Sequence, residues 1–305
     1  AIKRSANIIC DWSKKSKVIV VLSAMSGETD RLINLTKSFS KSPNPVDFDN
    51  AISTGENLSC ALMSIYLNNQ KTKSKSLHSW QIPIMTSSEH MKSRILSINK
   101  KFLLNELENL DVLVVPGFQG INERREITTL GRGGSDTSAV AVAAAMDAEC
   151  IIYTDVEGVF TTDPNIVPNA KKINKISYEE MLELASQGAK VLQTRSVELA
   201  MRKNTKLSVR SSLKPKKIGT IITDEKSVLE KNTVSGIAYT KDEAKITLSR
   251  VLDKPGVSSK IFGPLAKGNI NVDMILQNIS QDGKFANLSF TLPKADLEKA
   301  LKILK

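Results

Sequence analysis

Between Gly131 and Asp136 the sequence reads GRGGSD and then enters a run of small residues, "TLGRGGSDTSAVAVAAAM" over 129–146. A glycine-rich turn at a helix start presents backbone N–H groups to an anion, which suits a nucleotide phosphate. Asp136 opposes that use, because a carboxylate in the first helical turn favours the helix dipole but repels a neighbouring phosphate. Arg132 can grip a carboxylate through two parallel hydrogen bonds. The loop therefore fits either a phosphate or a ligand that carries both charges. Other polar residues fall where strands should end: Ser23 and Thr29 in "VVLSAMSGETD", Glu56 in "AISTGENLSCAL", and Thr154, Asp155 and Asp163 in "YTDVEGVFTTDPN". Ser23 and Thr29 serve equally well as helix caps. Glu56 on its own reads as an exposed helix residue, and Asp155 and Asp163 as turn formers. The sequence holds no G-x-x-x-x-G-K-[ST] phosphate loop.

Those positions need a scaffold, and the apolar pattern supplies an α/β one, with helices and strands alternating as in a mostly parallel sheet covered on both faces. Helices are predicted over 2–14, 30–39, 48–68, 100–107, 178–187 and 190–202. Strands are predicted at Val18–Leu22, near 76–80 and 94–97, in "DVLVVPGFQG", in "ECIIYTDVEGVFTTDP" and at 206–209. A three-layer α/β/α domain over 1–214 should place its ligands outside the strand ends. Residues 215–232 read as a polar connector enclosing one short strand, 219–223. From 233 to 305 the order is strand 244–250, helix 257–267, strand 270–279, strand 285–291 and helix 295–304. That order fits a ferredoxin-like α+β unit lacking its last strand, whose open edge a partner or further residues should cover.

Composition narrows the class. The 305 residues are 41% hydrophobic, enough for real cores, and no apolar run approaches the roughly 18 residues of a membrane span. A cytoplasmic location is expected, since the first residues lack a leader pattern. Three cysteines, far apart, and two histidines argue against a disulfide framework or a zinc site, and no metal ligands from the protein are evident. The 43 basic against 32 acidic residues give a net charge of +11. The lysines are scattered in short runs with few aromatics, so nucleic-acid binding is not expected.

Three stretches carry a resemblance: "VIVVLSAMSGETDRL", "STGENLSCALM", and the long run from "FQGINERREITTLGRGGSDTSAVAVAAAMDAECIIYTDVEGVFTTDP" to "QTRSVELA". Together they resemble the aspartokinases of the amino acid kinase superfamily. "SGIAYTKDEAKITLSRVLDKPGVSSKIFGPLAKGNINVDMILQNIS" is similar to the first ACT regulatory module of those enzymes. The resemblance implies ATP-dependent phosphorylation of the β-carboxylate of L-aspartate, the first step towards lysine, threonine and methionine, with Mg²⁺ as cofactor. It implies substrate contacts at Thr29, Glu56, Arg132, Gly133, Gly134, Ser135 and Asp136, with Arg132, Asp136 and Glu56 central to catalysis. ATP would meet Ser23, Thr154, Asp155, Phe160, Thr161, Thr162, Asp163, Pro164, Asn165 and Lys190. Lysine and/or threonine would act as feedback effectors at Asp253, Pro255, Gly256, Asn269, Ile270 and Asp273, in a homo-oligomer built through the ACT modules. Asp253 reads equally as a helix cap.

The substrate explains the loop. Aspartate offers two carboxylates and an ammonium, so Arg132 can take a carboxylate while Asp136 takes the ammonium. Family members open with a Lys-Phe/Tyr-Gly-Gly strand whose lysine meets the transferring phosphate, whereas this sequence begins at Ala1 inside the helix expected to follow. Truncation at both ends is the resulting expectation, with the 305-residue chain impaired and the full-length protein active. Smaller departures are Ala189 for a common serine, Asn165 for a common arginine, and Met91 for a usual glycine. The alternatives are another amino acid kinase, acting on acetylglutamate or glutamate, and a non-catalytic amino-acid-binding regulatory chain.

Overall fold

The structure, a computed structural model, describes residues 1–81, 84–189, 191–224, 235–268, 270–279 and 284–304. They form two compact units, Ala1–Ala238 and Tyr239–Lys305.

The first unit opens with α1 (Ile2–Ser13), β1 (Val18–Leu22) and α2 (Glu28–Phe39). Where one helix over 48–68 is predicted, the chain makes two, α3 (Pro45–Ile52) and α4 (Thr54–Asn69). The first starts early because Asn44 caps it through the Val46 N–H and Pro45 takes the first helical position. The break at Ser53 has local causes. The Ser53 and Thr54 hydroxyls bond back to the carbonyls of Asn50 and Ala51, and Gln119 Nε2 donates to the Ser53 carbonyl at 3.0 Å.

β2 (Ser74–Ser76) ends where the sequence pattern places a strand near 76–80. Then come β3 (Ile84–Thr86), β4 (Ile95–Ile98), α5 (Lys100–Leu107) and β5 (Val112–Pro116). β1, β5 and β2 form a parallel sheet in the order β1-β5-β2. Fully buried β5 shows why helices cover both faces. Its Val112 and Val114 pack on Ala6 and Ile9 of α1 and Cys60 and Met63 of α4, while Leu113 and Val115 pack on Leu103 and Leu107 of α5.

β6 (Gln119–Ile121) and β7 (Ile127–Thr129) make a hairpin that joins β3 and β4 in a second sheet, ordered β4-β3-β6-β7. β7 leads into the glycine loop and α6 (Gly134–Met146), then β8 (Cys150–Thr154). A third sheet, β8-β10-β11-β9, joins it to β9 (Lys175–Ser177), β10 (Leu207–Ser211) and β11 (Thr220–Thr223). α7 (Tyr178–Ser186) and α8 (Thr194–Lys203) cover it through Met181, Leu184, Val197 and Ala200.

Two expectations change here. β11 is bonded to β9 and β10, so residues 220–223, read as connector, belong to the first unit's sheet. The helix predicted from 190 starts at Thr194, because Gly188 takes φ +107 and Gln193 is extended at φ −81, ψ 137.

The second unit has β12 (Glu243–Leu252), α9 (Val257–Lys267), β13 (Ile275–Ile279), β14 (Phe285–Pro293) and α10 (Leu297–Leu304), in an antiparallel sheet ordered β12-β14-β13. This is the expected ferredoxin-like βαββα arrangement. Its core joins Leu265, Ile270, Phe290, Leu292 and Ala300. Ile270 precedes the strand rather than opening it, as its side chain is drawn into that core. Among the described residues no helix is long and apolar enough to cross a membrane.

Candidate active site

The glycine loop folds as its residues dictate. Gly131 and Gly133 adopt φ +79 and +70, the left-handed region that side chains disfavour, and Gly133 caps α6 without a side-chain bond. A Cβ on Gly133 would stand 1.7 Å from Gln193 Cγ, and one on Gly134 would stand 2.9 Å from the Phe118 ring. The loop is pinned from behind. Leu130 N–H donates to the Phe118 carbonyl at 2.8 Å, and Arg195 donates to the carbonyls of Leu130 at 2.8 Å and Ser93 at 2.6 Å.

In front of the loop lies a cavity of about 260 Å³, lined by Ser23, Ala24, Thr29, Glu56, Phe118 and the stretch from Gly131 to Asp136. The structure thus brings Thr29 and Glu56 together with Arg132, Gly133, Gly134, Ser135 and Asp136, three separate stretches of the sequence. Ser23, expected on the nucleotide side, lines the same cavity.

Glu56 is not the exposed helix residue its isolated sequence context suggests, being 3% exposed. Its Oε1 accepts from the Ala24 N–H at 3.2 Å, and its Oε2 has no hydrogen-bond partner among the described residues. Burial pushes its pKa up to about 7. Asp136 is pushed up to about 6 by burial, against the opposing pull of the Gln193 backbone N–H. Its charge reaches Cys150, whose thiol, chiefly through burial, rises to about 12. Two carboxylates thus sit in a site that disfavours their charge, and the exposed Arg132 lines the same cavity. A ligand ammonium would restore their ionised forms, and a ligand carboxylate would satisfy Arg132.

The residues expected at the nucleotide form a separate loop after β8. Thr154 Oγ1 donates to Asp155 at 3.0 Å, Phe160 bridges to Lys172, and Thr161 exchanges bonds with Lys171. Asp163 acts as the turn former it could be, accepting from the Asn165 N–H at 2.9 Å, with Thr162 and Pro164 alongside. None of these lines the 260 Å³ cavity. Lys190 lies outside the described residues.

In the second unit Gly256, at φ +88, caps α9. Asp253 is therefore not that helix's cap. It accepts instead from Gln277 Nε2 at 3.0 Å. Pro255 and Asp273 are exposed, Ile270 is a core residue at 4% exposure, and Asn269 lies outside the described residues.

Sequence reasoning missed Ala24, Phe118 and Gly131 as lining residues, and Gln193 and Arg195 as supports. Only Gly131 carried a signal, its place in the glycine run.

Comparison with known proteins adds an independent line. Residues 1–211 match the amino acid kinase family and residues 249–305 an ACT domain. The chain is 49% identical over 290 residues to the aspartate kinase of Pseudomonas putida, covering 94% of this chain and 70% of that one. It is 48% identical over 294 residues to the aspartokinase of Helicobacter pylori, covering 95% and 72%. The crystal structure of the Synechocystis aspartate kinase is 38% identical with a TM-score of 0.64; the match covers 99% of this chain and 52%, about half, of that one. The structure of E. coli aspartokinase III in complex with aspartate and ADP shares the fold, at 20% identity and a TM-score of 0.67, covering 99% and 95%.

Proposed function

Because the chain belongs to the amino acid kinase family, and within it to the aspartate kinases, we propose that it transfers the γ-phosphoryl group of ATP to the β-carboxylate of L-aspartate, giving 4-phospho-L-aspartate. The observation that carries this reading is the pairing of Glu56 and Asp136, both pushed towards neutrality by burial, with Arg132 in one cavity. That charge set matches an amino acid better than a phosphate. Asp136 and Glu56 hold the ammonium, while Arg132 and the backbone of Gly133 and Gly134 take a carboxylate, with Thr29 and Ser135 beside them.

The chemistry follows from the acceptor. An ionised carboxylate is already a nucleophile, so these residues need only orient it in line with the phosphoryl group and exclude water; no general base is required. Thr154, Asp155 and the loop 160–165 would meet the nucleotide, with Ser23 reaching its phosphates from the cavity; Lys190, assigned to the nucleotide by resemblance, lies outside the described residues. Among the described residues no group of His, Cys, Asp or Glu is arranged to hold a metal ion. Mg²⁺ accompanying the nucleotide would supply charge neutralisation at the transferring group. The reading places the protein in the cytoplasm at the head of lysine, threonine and methionine biosynthesis. Lysine and/or threonine would bind the ACT unit around Asp253–Gly256 and Asp273. Edge strand β13, with Ile275, Leu276 and Ile279 exposed, would pair with a second copy.

Asp136→Asn tests the assignment in the full-length protein. It should raise the KM for aspartate at least about tenfold while the KM for ATP changes by less than about twofold. Loss of ATP affinity with aspartate affinity intact would mean that the loop holds phosphate.

A further inference from the structure

Asp49 is a fully buried carboxylate on α3 and is not among the residues that line the cavity. It accepts four hydrogen bonds. Oδ2 takes the Thr129 N–H at 2.9 Å, the Met91 N–H at 3.0 Å and His90 Nδ1 at 2.9 Å, and Oδ1 takes the Thr129 hydroxyl at 2.7 Å. A carboxylate without water is tolerated when its lone pairs are filled in this way. Because Asp49 can only accept, His90 Nδ1 carries the proton that points at it.

The donors come from two separate pieces of chain, the turn at 90–91 and the end of β7. Thr129 stands three residues before Arg132, so fixing its N–H and hydroxyl fixes the strand from which the glycine loop springs. The turn at Met91 backs the same loop: a Cβ on Gly131 would stand 2.9 Å from the Met91 carbonyl oxygen. Met91 itself sits at φ +65, a conformation that a non-glycine residue holds only under constraint, and its N–H is given to Asp49. Asp49 therefore ties the wall behind Gly131 to the strand that leads into it. Ser93, which donates from N and Oγ to the Thr129 carbonyl at 3.0 and 2.9 Å, and Arg195 on Leu130 complete the frame.

We propose that Asp49 is a positioning residue for Arg132, acting through Thr129 and Met91 to set how the Gly131–Ser135 loop meets the ligand, and so to set affinity for aspartate without touching it. The proposal rests on the assignment of the cavity to aspartate.

Asp49→Ala and Asp49→Asn in the full-length protein test it. Aspartate binding is read by calorimetry, KM for aspartate and ATP by turnover, and folding by thermal melting. Displacing a loop anchor by a fraction of an ångström to 1 Å should weaken aspartate binding at least about tenfold, with the KM for ATP changed less than about twofold. Asp49→Asn should keep affinity within about threefold, since its oxygen can replace Oδ2 before the Thr129 N–H, the Met91 N–H and His90 Nδ1, and its amide can face the Thr129 hydroxyl, which also accepts. If Asp49→Ala does not fold, Thr129→Val removes one of the four bonds and should weaken aspartate binding about threefold. Wild-type aspartate affinity in folded Asp49→Ala, or in Thr129→Val where that variant replaces it, would overturn the proposal. So would equal losses for aspartate and ATP, as would an Asn variant as damaged as the Ala one. Absence of aspartate binding by the wild-type protein would instead overturn the assignment of the cavity.

Discussion

Replacing Glu56 by Gln should change how stability depends on pH, and the sign follows from the buried carboxyl. In the folded protein Glu56 titrates at about 7 against an ordinary 4.5. Below about pH 4.5 folded and unfolded chains both carry the proton and nothing is at stake. As pH rises the unfolded chain releases its proton while the folded one retains it, so stability falls through the window from about 4.5 to about 7, and above that the whole penalty is present. The rise from 4.5 to about 7 corresponds to roughly 3 kcal/mol. Gln keeps an oxygen for the Ala24 N–H but sets an amide where Oε2 has no partner among the described residues, which costs about 1–3 kcal/mol. That second term is the same at every pH, so the diagnostic is the slope. In ligand-free protein followed by circular dichroism, the wild-type Tm should fall relative to Glu56→Gln by roughly 6–12 °C between pH 4.5 and 8. Saturating aspartate should flatten the wild-type curve, because its ammonium would hold Glu56 ionised. Parallel curves, or a wild type that gains on the variant as pH rises, would refute the reasoning.

Two backbone predictions follow from the same region. Gly133→Ala would put a Cβ 1.7 Å from Gln193 Cγ in a residue at φ +70; a loss of about 2–4 kcal/mol in thermal melts, with aspartate affinity down at least about tenfold, is expected, and a wild-type melt would contradict it. Met91→Gly should be neutral or stabilising by up to about 1 kcal/mol. The side chain is 45% exposed and the φ of +65 is natural for glycine. A Tm lowered by the equivalent of more than about 1 kcal/mol would show that the strain is illusory.

Long, patterned elements were legible in the sequence, and short or strained ones were not. Val18–Leu22, Lys100–Leu107 and Val257–Lys267 are found at the residues their patterns predict, because each carries a continuous or periodic apolar face. The three-residue strands β2, β3, β6, β7 and β9 exist only through their partners, so neither propensity nor period announces them. The helix break at Ser53 is set by hydroxyl back-bonding and by Gln119, sixty-six residues away. Met91 shows the one case where an oddity read from sequence had a physical counterpart, since the expected glycine position is left-handed in the structure.

The glycine loop was legible as a backbone feature, because glycine marks the positive φ that Gly131 and Gly133 adopt. The charge state of the site was not, because it depends on burial that one-dimensional pattern hides. On α4 the apolar Leu58 and Ile65 face solvent while Glu56, Ser59 and Ser64 are buried, the reverse of what residue type alone suggests. The reason lies at the helix start. The kink at Ser53 lets α4 begin at Thr54, so that Glu56 falls in its first turn and meets the Ala24 N–H just after β1. There the helix dipole favours a negative charge while burial disfavours it. Burial wins, as the rise to about 7 records. A cation placed beside Glu56 would tip that balance back towards the ionised form. On the proposed assignment, the stability slope of Glu56 and the affinity for aspartate would depend on the same buried carboxyl.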